Sequence, residues 1–337
     1  MCSAIDAAKD LGISVFTFCT SSPCGMWANM HTSKLIEAAC IPGMDDGLLR
    51  LRDLPGHCRL ELEDPIMEFN ISQTTAMTRA SALIFNTFQE LNKPIISPLK
   101  SFFPKIYSIG PLHALFKSLI KDSSLSLSSN GAALRKEDKS CMTWLDQQPL
   151  RSVVYVSFGS LIGLSRTQLL EFWYGLVNSG KPFLWVIKMD SVEEGLAQII
   201  SGLEEETKKR GYIVGWAPQE EVLAHLAIGG FLTHGGWNST LESIYAGIPM
   251  ICWPMFADQQ VNSRCVSDLW RIGFDMKDTC DRVIIEKMVR DLMDEKREEI
   301  MKSTAEIANM ARTSVENGGS SYHNLEMLID DLTSMNL

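Results

Sequence analysis

The chain has 337 residues, 45% of them hydrophobic and 21% charged, which is enough for two globular domains and unlike a disordered composition. A formal net charge of −10 excludes the basic face of an ordinary nucleic-acid binder, although local backbone donors can still hold an anion against a weak global field. No apolar run is long enough to cross a bilayer, so no stable membrane insertion is expected. The nine cysteines, at 2, 19, 24, 40, 58, 141, 252, 265 and 280, show no CxxC pair and no zinc-type Cys/His spacing. They read as reduced thiols of a cytoplasmic protein.

In chain order, a short helical segment leads into the strand-like "SVFTF" at 14–18, followed by "ALIFNTF" at 82–88 and "KIYSIG" at 105–110. The Ser-rich, mixed-charge stretch 118–138 reads as an exposed linker. Beyond it come "VVYVSFG" (153–159), "FLWVI" (183–187), "YIVGW" (212–216), "GGFLTH" (229–234) and "PMICWP" (249–254), with amphipathic segments between them. Apolar strands alternating with helices predict an α/β protein with parallel sheets covered on both faces. The domains expected are a partial N-terminal one over 1–117, the linker, and a doubly wound one over 139–316. A final helix over 317–337, after the Gly318-Gly319 stop, is expected to fold back onto the N-terminal domain.

One stretch carries the chemistry. "FLTHGGWNSTLES" reads as a strand ending at His234, a turn at Gly235-Gly236, and a helix opening at Trp237. Ligands of open α/β sheets lie beyond the carboxyl ends of the strands, and a helix N-terminus with its unpaired amides suits a phosphate. His234 can donate to the same phosphate. Glu242, three residues after Ser239 and on the same helical face, can accept from the two hydroxyls of a ribose. The bland alternative is a glycine-rich turn with a satisfied histidine and a core tryptophan.

Residues Trp216–Gln259, "WAPQEEVLAHLAIGGFLTHGGWNSTLESIYAGIPMICWPMFADQ" with Gly215 before it and Gln260 after, resemble the signature box of the plant family 1 UDP-sugar glycosyltransferases. "SCMTWLDQQPLRSVVYVSFGSL", "KPFLWVIK", "VNSRCVSDLWRIGFDM", "IPGMDDGLLRLRDLP" and "YSIGPL" agree with the same family. The resemblance implies a GT-B fold, two Rossmann-like domains with the active site in the cleft between them. It implies that Trp216 stacks on uracil, the Ala217 backbone bonds the uracil edge, and Gln219 and Glu242 meet the ribose. His234, Asn238, Ser239, the Trp237 amide and Ser160 would receive the diphosphate, and Asp258 and Gln259 the sugar hydroxyls, with Gln259 favouring glucose. Trp216 can instead be read as ordinary core, and Asp258 and Gln259 as a loop cap. His225 reads as structural. The function implied is UDP-glucose-dependent, inverting transfer to a hydroxyl or carboxyl of a small plant metabolite. The "LRLRDLP" and "GLVNSGKPFLWVIK" stretches are most similar to branches with terpenoid and iridoid acceptors. UDP-glucose is the co-substrate and no metal or other cofactor is expected, since no DxD-like carboxylate pair occurs.

The family's catalytic histidine and its orienting aspartate match no position here: "MCSAIDAAKDLGIS" aligns just after that aspartate, and neither Asp6 nor His31 fits either role. The expectation is therefore an N-terminally truncated chain with an incomplete N-terminal domain and lost or low activity. The alternative is a non-catalytic UDP-sugar-binding fragment or pseudoenzyme.

Overall fold

A computed structural model describes residues 2–32, 65–122, 137–188, 202–203, 210–277 and 279–335. "IPGMDDGLLRLRDLP" and most of the span read as a linker lie outside the described residues. The chain forms two compact units. One comprises Met1–Ser126, Phe256–Arg264 and Ile307–Leu337, the other Leu127–Met255 and Cys265–Glu306.

In the first unit, helix α1 (Cys2–Asp10) precedes strand β1 (Phe16–Cys19) and helix α2 (Pro23–Met30). Then come α3 (Pro65–Met77), β2 (Ala82–Phe85), α4 (Gln89–Leu99), β3 (Ile106–Ser108) and α5 (Leu112–Asp122). The three strands are parallel in the order β1-β2-β3, with Phe16 opposite Ala82 and Leu83 opposite Ile106. Central β2 is apolar along its length because both of its faces are covered, and Ala82, Leu83 and Phe85 have no exposed surface. Helix α5 takes in residues 118–122, continuing the helical apolar spacing of Leu115, Phe116, Leu119 and Ile120.

The second unit opens with α6 (Ser140–Leu145) and carries six strands: β4 (Val153–Ser157), β5 (Phe183–Val186), β6 (Gly211–Val214), β7 (Ile228–Thr233), β8 (Met250–Cys252) and β9 (Gly273–Asp275). All pair in parallel in the order β6-β5-β4-β7-β8-β9. Chain order therefore runs outward from the middle in both directions, and the reversal falls between β4 and β7. That arrangement defines a doubly wound sheet with a topological switch point. Helix α7 (Arg166–Ser179) starts at a capping box, with Ser165 accepting from the Gln168 amide and Gln168 from the Ser165 amide. Its far end is closed by Gly180 in the left-handed region at φ 74°. It crosses α11 (Arg282–Arg290), where Arg282 pairs with Glu171 and lies 4.2 Å over the Tyr174 ring. Under the sheet, Phe158, Phe172 and Trp253 meet with ring centroids 4.8–5.3 Å apart beside Val154, Val156 and Leu232. Aromatic pairs of this kind add about 0.5–1.5 kcal/mol beyond their area burial.

Helices α8 (Gln219–Ala224), α9 (Trp237–Ala246) and α10 (Gln259–Arg264) follow β6, β7 and β8 in turn. Helix α12 (Arg297–Val315) starts in the second unit and ends in the first, which α13 (Ser320–Ser334) completes. There α13 lies along β3. Ser321 donates to the Gly110 carbonyl at 2.5 Å, Tyr107 donates its hydroxyl to Asp331, and Lys105 pairs with Asp331 at 2.6 Å. The chain is α/β with parallel sheets in Rossmann-like arrangement. Among the described residues no helix is long and apolar enough to cross a membrane. The described cysteines Cys19, Cys24, Cys141, Cys252, Cys265 and Cys280 are free thiols.

Candidate functional site

The switch point puts the ends of β4 and β7 side by side, Ser157 opposite Thr233. The chain leaves β4 through Phe158, Gly159 and the exposed Ser160, and leaves β7 through His234, Gly235 and Gly236. Gly159 and Gly235 take left-handed dihedrals, φ 74° and 72°, which a β-carbon disfavours. A second constraint holds at Gly159 and Gly236. A methyl group on Gly159 would lie 2.6 Å from His234 Nε2, and one on Gly236 only 2.4 Å from it. The imidazole thus sits between two backbones that must lack side chains.

His234 is held neutral. Burial pushes its pKa down from 6.5 to about 4, and the nearby positive charge of Lys188 adds to that. Lys188 stands two residues past β5, 7% exposed, and was not singled out in the sequence. The sign of a lysine closing the apolar run "KPFLWVIK" at a strand's carboxyl end was the available clue.

Helix α9 begins at Trp237 with Gly236 as its N-cap, so no side chain closes the first turn. The amides of such a turn have no intrahelical acceptor, and together with the helix dipole they favour an anion. The Trp237 side chain is buried, 4% exposed and tilted against Trp270 at 6.2 Å. Asn238 is exposed, and Ser239 and Glu242 are half-buried on one face.

Gln219, the first residue of α8, ties that face to the sheet. Its amide nitrogen donates to Ser239 Oγ at 2.9 Å and to Glu242 Oε2 at 2.5 Å, and its carbonyl accepts from the Tyr155 hydroxyl at 3.3 Å. Every polar group of Gln219 is thereby directed, which orients the Glu242 carboxylate before any ligand arrives. Tyr155 is the other residue that sequence reasoning missed: a tyrosine inside "VVYVSFG" reads as core, and its ring does stack on Phe231 at 4.9 Å. Trp216 and Ala217 lie just before Pro218, the N-cap of α8; Trp216 is half-buried, Ala217 is 6% exposed, and the Trp216 carbonyl accepts from the Asp138 amide at 2.8 Å.

Asp258 and Gln259 belong to the first unit. Asp258 is 8% exposed, and burial raises its carboxyl pKa against several hydrogen bonds that lower it. Gln259 is also buried and accepts from the Phe256 amide at 3.1 Å. His31 lies in the same unit, its Nδ1 3.0 Å from the Trp27 carbonyl and its ring 3.9 Å from the indole. His225 and His323 each have a carboxylate beside them. His225 Nε2 is 3.1 Å from Asp146, at the amino end of β7, and the Ala227 amide donates to its Nδ1. His323 is 3.8 Å from Glu326 on the exposed side of α13. Among the described residues no group of three His, Cys, Asp or Glu could hold a metal ion.

Comparison with known proteins defines the class first. The chain superimposes on the crystal structure of Os79 from O. sativa in complex with UDP at a TM-score of 0.84 and 29% identity, covering 97% of this chain and 75% of that one. It matches Phytolacca americana UGT2, complexed with UDP-2fluoro-glucose and pterostilbene, at a TM-score of 0.82 and 28% identity, over 98% and 74% of the chains. The fold is GT-B. Residues 127–307 match the family model described as UDP-glucoronosyl and UDP-glucosyl transferase. A 7-deoxyloganetic acid glucosyltransferase of Catharanthus roseus is 50% identical over 98% of this chain and 72% of its own length. A 7-deoxyloganetin glucosyltransferase of Gardenia jasminoides is 43% identical over 99% and 73%. This chain belongs to the UDP-glycosyltransferase family, in its plant branch.

Proposed function

We propose that the chain binds UDP-glucose and transfers its glucosyl group, with inversion, to a hydroxyl or carboxyl of a small plant metabolite of the terpenoid or iridoid kind. The observation that carries the reading is the pre-set end of the second unit's sheet. His234 is caged between Gly159 and Gly236, an uncapped helix start lies beside it, and Gln219 holds Ser239 and Glu242 in place. In this reading Trp216 stacks on uracil, the Ala217 backbone bonds its edge, and Glu242 with Gln219 takes the ribose. His234, Asn238, Ser239, the Trp237 amide and Ser160 take the diphosphate, and Asp258 and Gln259 the hexose hydroxyls. The acceptor oxygen, as a carboxylate or as a hydroxyl that gives up its proton to water, forms its bond to the anomeric carbon as the bond to the diphosphate oxygen breaks. Charge building on the leaving UDP is met by the α9 amides and by His234, with no metal required. The two relatives named for 7-deoxyloganetic acid and 7-deoxyloganetin suggest the acceptor class.

Calorimetric titration of the 337-residue chain with UDP-glucose tests the donor site. Stacking on an aromatic ring contributes about 1–3 kcal/mol, so Trp216→Ala should weaken UDP by roughly 5- to 150-fold. Equal affinity in the two proteins would remove the proposed site. Incubation with UDP-glucose and 7-deoxyloganetic acid, followed by mass spectrometry for the glucoside, tests transfer. Saturable donor binding with no glucoside from a panel of such acceptors would identify a sugar-nucleotide-binding protein without turnover.

A further inference from the structure

Asp258 is placed by the turn between β1 and α2. The Ser22 backbone amide donates to Asp258 Oδ2 at 2.7 Å, a fully buried bond between residues 236 positions apart. Ser22 is itself fixed, because its hydroxyl accepts from the Gly25 amide at 3.0 Å and caps α2, whose next residue is Pro23. The approach is also steric. A β-carbon on Gly25 would lie 2.6 Å from Asp258 Cβ and 3.2 Å from Ser22 Oγ, so only glycine lets the two segments meet this closely. On the other side, Ala257 takes a left-handed φ of 56°, which an L-residue adopts only when its surroundings hold it there. Three local features, a donated amide, a missing side chain and a strained predecessor, therefore converge on one buried carboxylate.

We propose that Ser22 and Gly25 are positioning residues for the donor hexose, holding the Asp258 carboxylate in the orientation that reads the sugar hydroxyls. The inference rests on the reading of Asp258 given above. One carboxylate oxygen is committed to the Ser22 amide, and the Asn262 side chain and the Ser22 hydroxyl also bond the group, so its orientation is set before a sugar arrives. The device acts on the sugar and not on the nucleotide, whose proposed contacts lie in the second unit.

The test separates these two parts of the donor. Ser22 has φ −63° and ψ 154°, dihedrals that proline accepts, so Ser22→Pro removes the N–H without demanding a new backbone there. It is compared with Ser22→Ala, which keeps the N–H and loses, as the proline variant also does, the hydroxyl that bonds Asp258, so the difference between the two isolates the N–H. Calorimetry on the full chain gives the ratio of UDP-glucose to UDP affinity for each. We expect Ser22→Pro to lower that ratio roughly tenfold relative to Ser22→Ala, as loss of a hydrogen bond to a charged group implies, with UDP affinity itself within about twofold. Gly25→Ala, which pushes on Asp258 from a different atom, should lower the ratio in the same way and stands in if the proline variant fails to fold. Asp258→Asn is the reference. If it lowers the ratio while Ser22→Pro and Gly25→Ala do not, the positioning role is overturned and the reading of Asp258 stands. If Asp258→Asn leaves the ratio unchanged, the reading of Asp258 falls, and the inference falls with it.

Discussion

His234 shows how a single side chain can be tuned by where a strand ends. A histidine free in an unfolded chain titrates near 6.5 and this one is pushed down to about 4, so at pH 7 it is neutral in the folded chain, mostly neutral in the unfolded one, and contributes little to pH-dependent stability. As pH falls through 6.5 towards 4, the unfolded chain takes up a proton that the folded one refuses. Stability then drops by up to about 1.4 kcal/mol per pH unit. Lys188→Met removes a nearby positive charge and should raise the His234 pKa, and saturating UDP, bringing negative charge to the site, should raise it in the wild-type protein. Titration of the His234 imidazole by NMR checks both, and a downward shift with UDP would contradict a diphosphate at this position. His234 itself was legible from its place after "GGFLT". Its neutrality was not, because that depends on burial and on a lysine 46 positions earlier in the chain.

At the scale of elements, the long apolar runs declared themselves and the short pieces did not. "VVYVSFG", "FLWVI" and "GGFLTH" become β4, β5 and β7, since a central parallel strand buried on both faces must be apolar at every position. Strand β9 carries a glycine and an aspartate in three residues, types with little strand preference. It exists because Met250, Ile251 and Cys252 offer it a partner edge. A five-residue π segment at Cys265–Leu269 ends α10, and another at Asp291–Glu295 lies between α11 and α12, irregularities that local residue spacing does not announce. Close crossings are similarly invisible beforehand. Gly175 reads as a weak spot in α7, yet a methyl there would lie 2.6 Å from Ile285 Cβ and 3.0 Å from the Arg282 carbonyl. Gly175→Ala should gain roughly 1 kcal/mol in helix propensity and lose about 1–3 kcal/mol by overpacking. A net destabilisation is expected, read as a lower denaturant midpoint at unchanged slope.

Over the whole molecule, the chain does not keep its units as two successive blocks of sequence. Phe256–Arg264 and Ile307–Leu337 join the first unit although they follow most of the second, and α13 then seals β3. Ser321 has no exposed surface and satisfies the buried Gly110 carbonyl. Ser321→Ala should cost about 1–3 kcal/mol by orphaning that acceptor, and chemical denaturation monitored within the first unit measures it. What the amino-acid sequence determined by itself is the α/β class, the order of the long strands and the resemblance of Trp216–Gln259 to the nucleotide-sugar box, since hydrophobic period and local residue spacing are properties of neighbouring positions. Tertiary structure alone decided that Tyr155 orients Gln219, that Lys188 stands near His234, and that Ser22 grips Asp258. Those contacts join residues tens to hundreds of positions apart. The energy that selects them is burial and hydrogen bonding in the finished fold, which no short stretch of sequence contains.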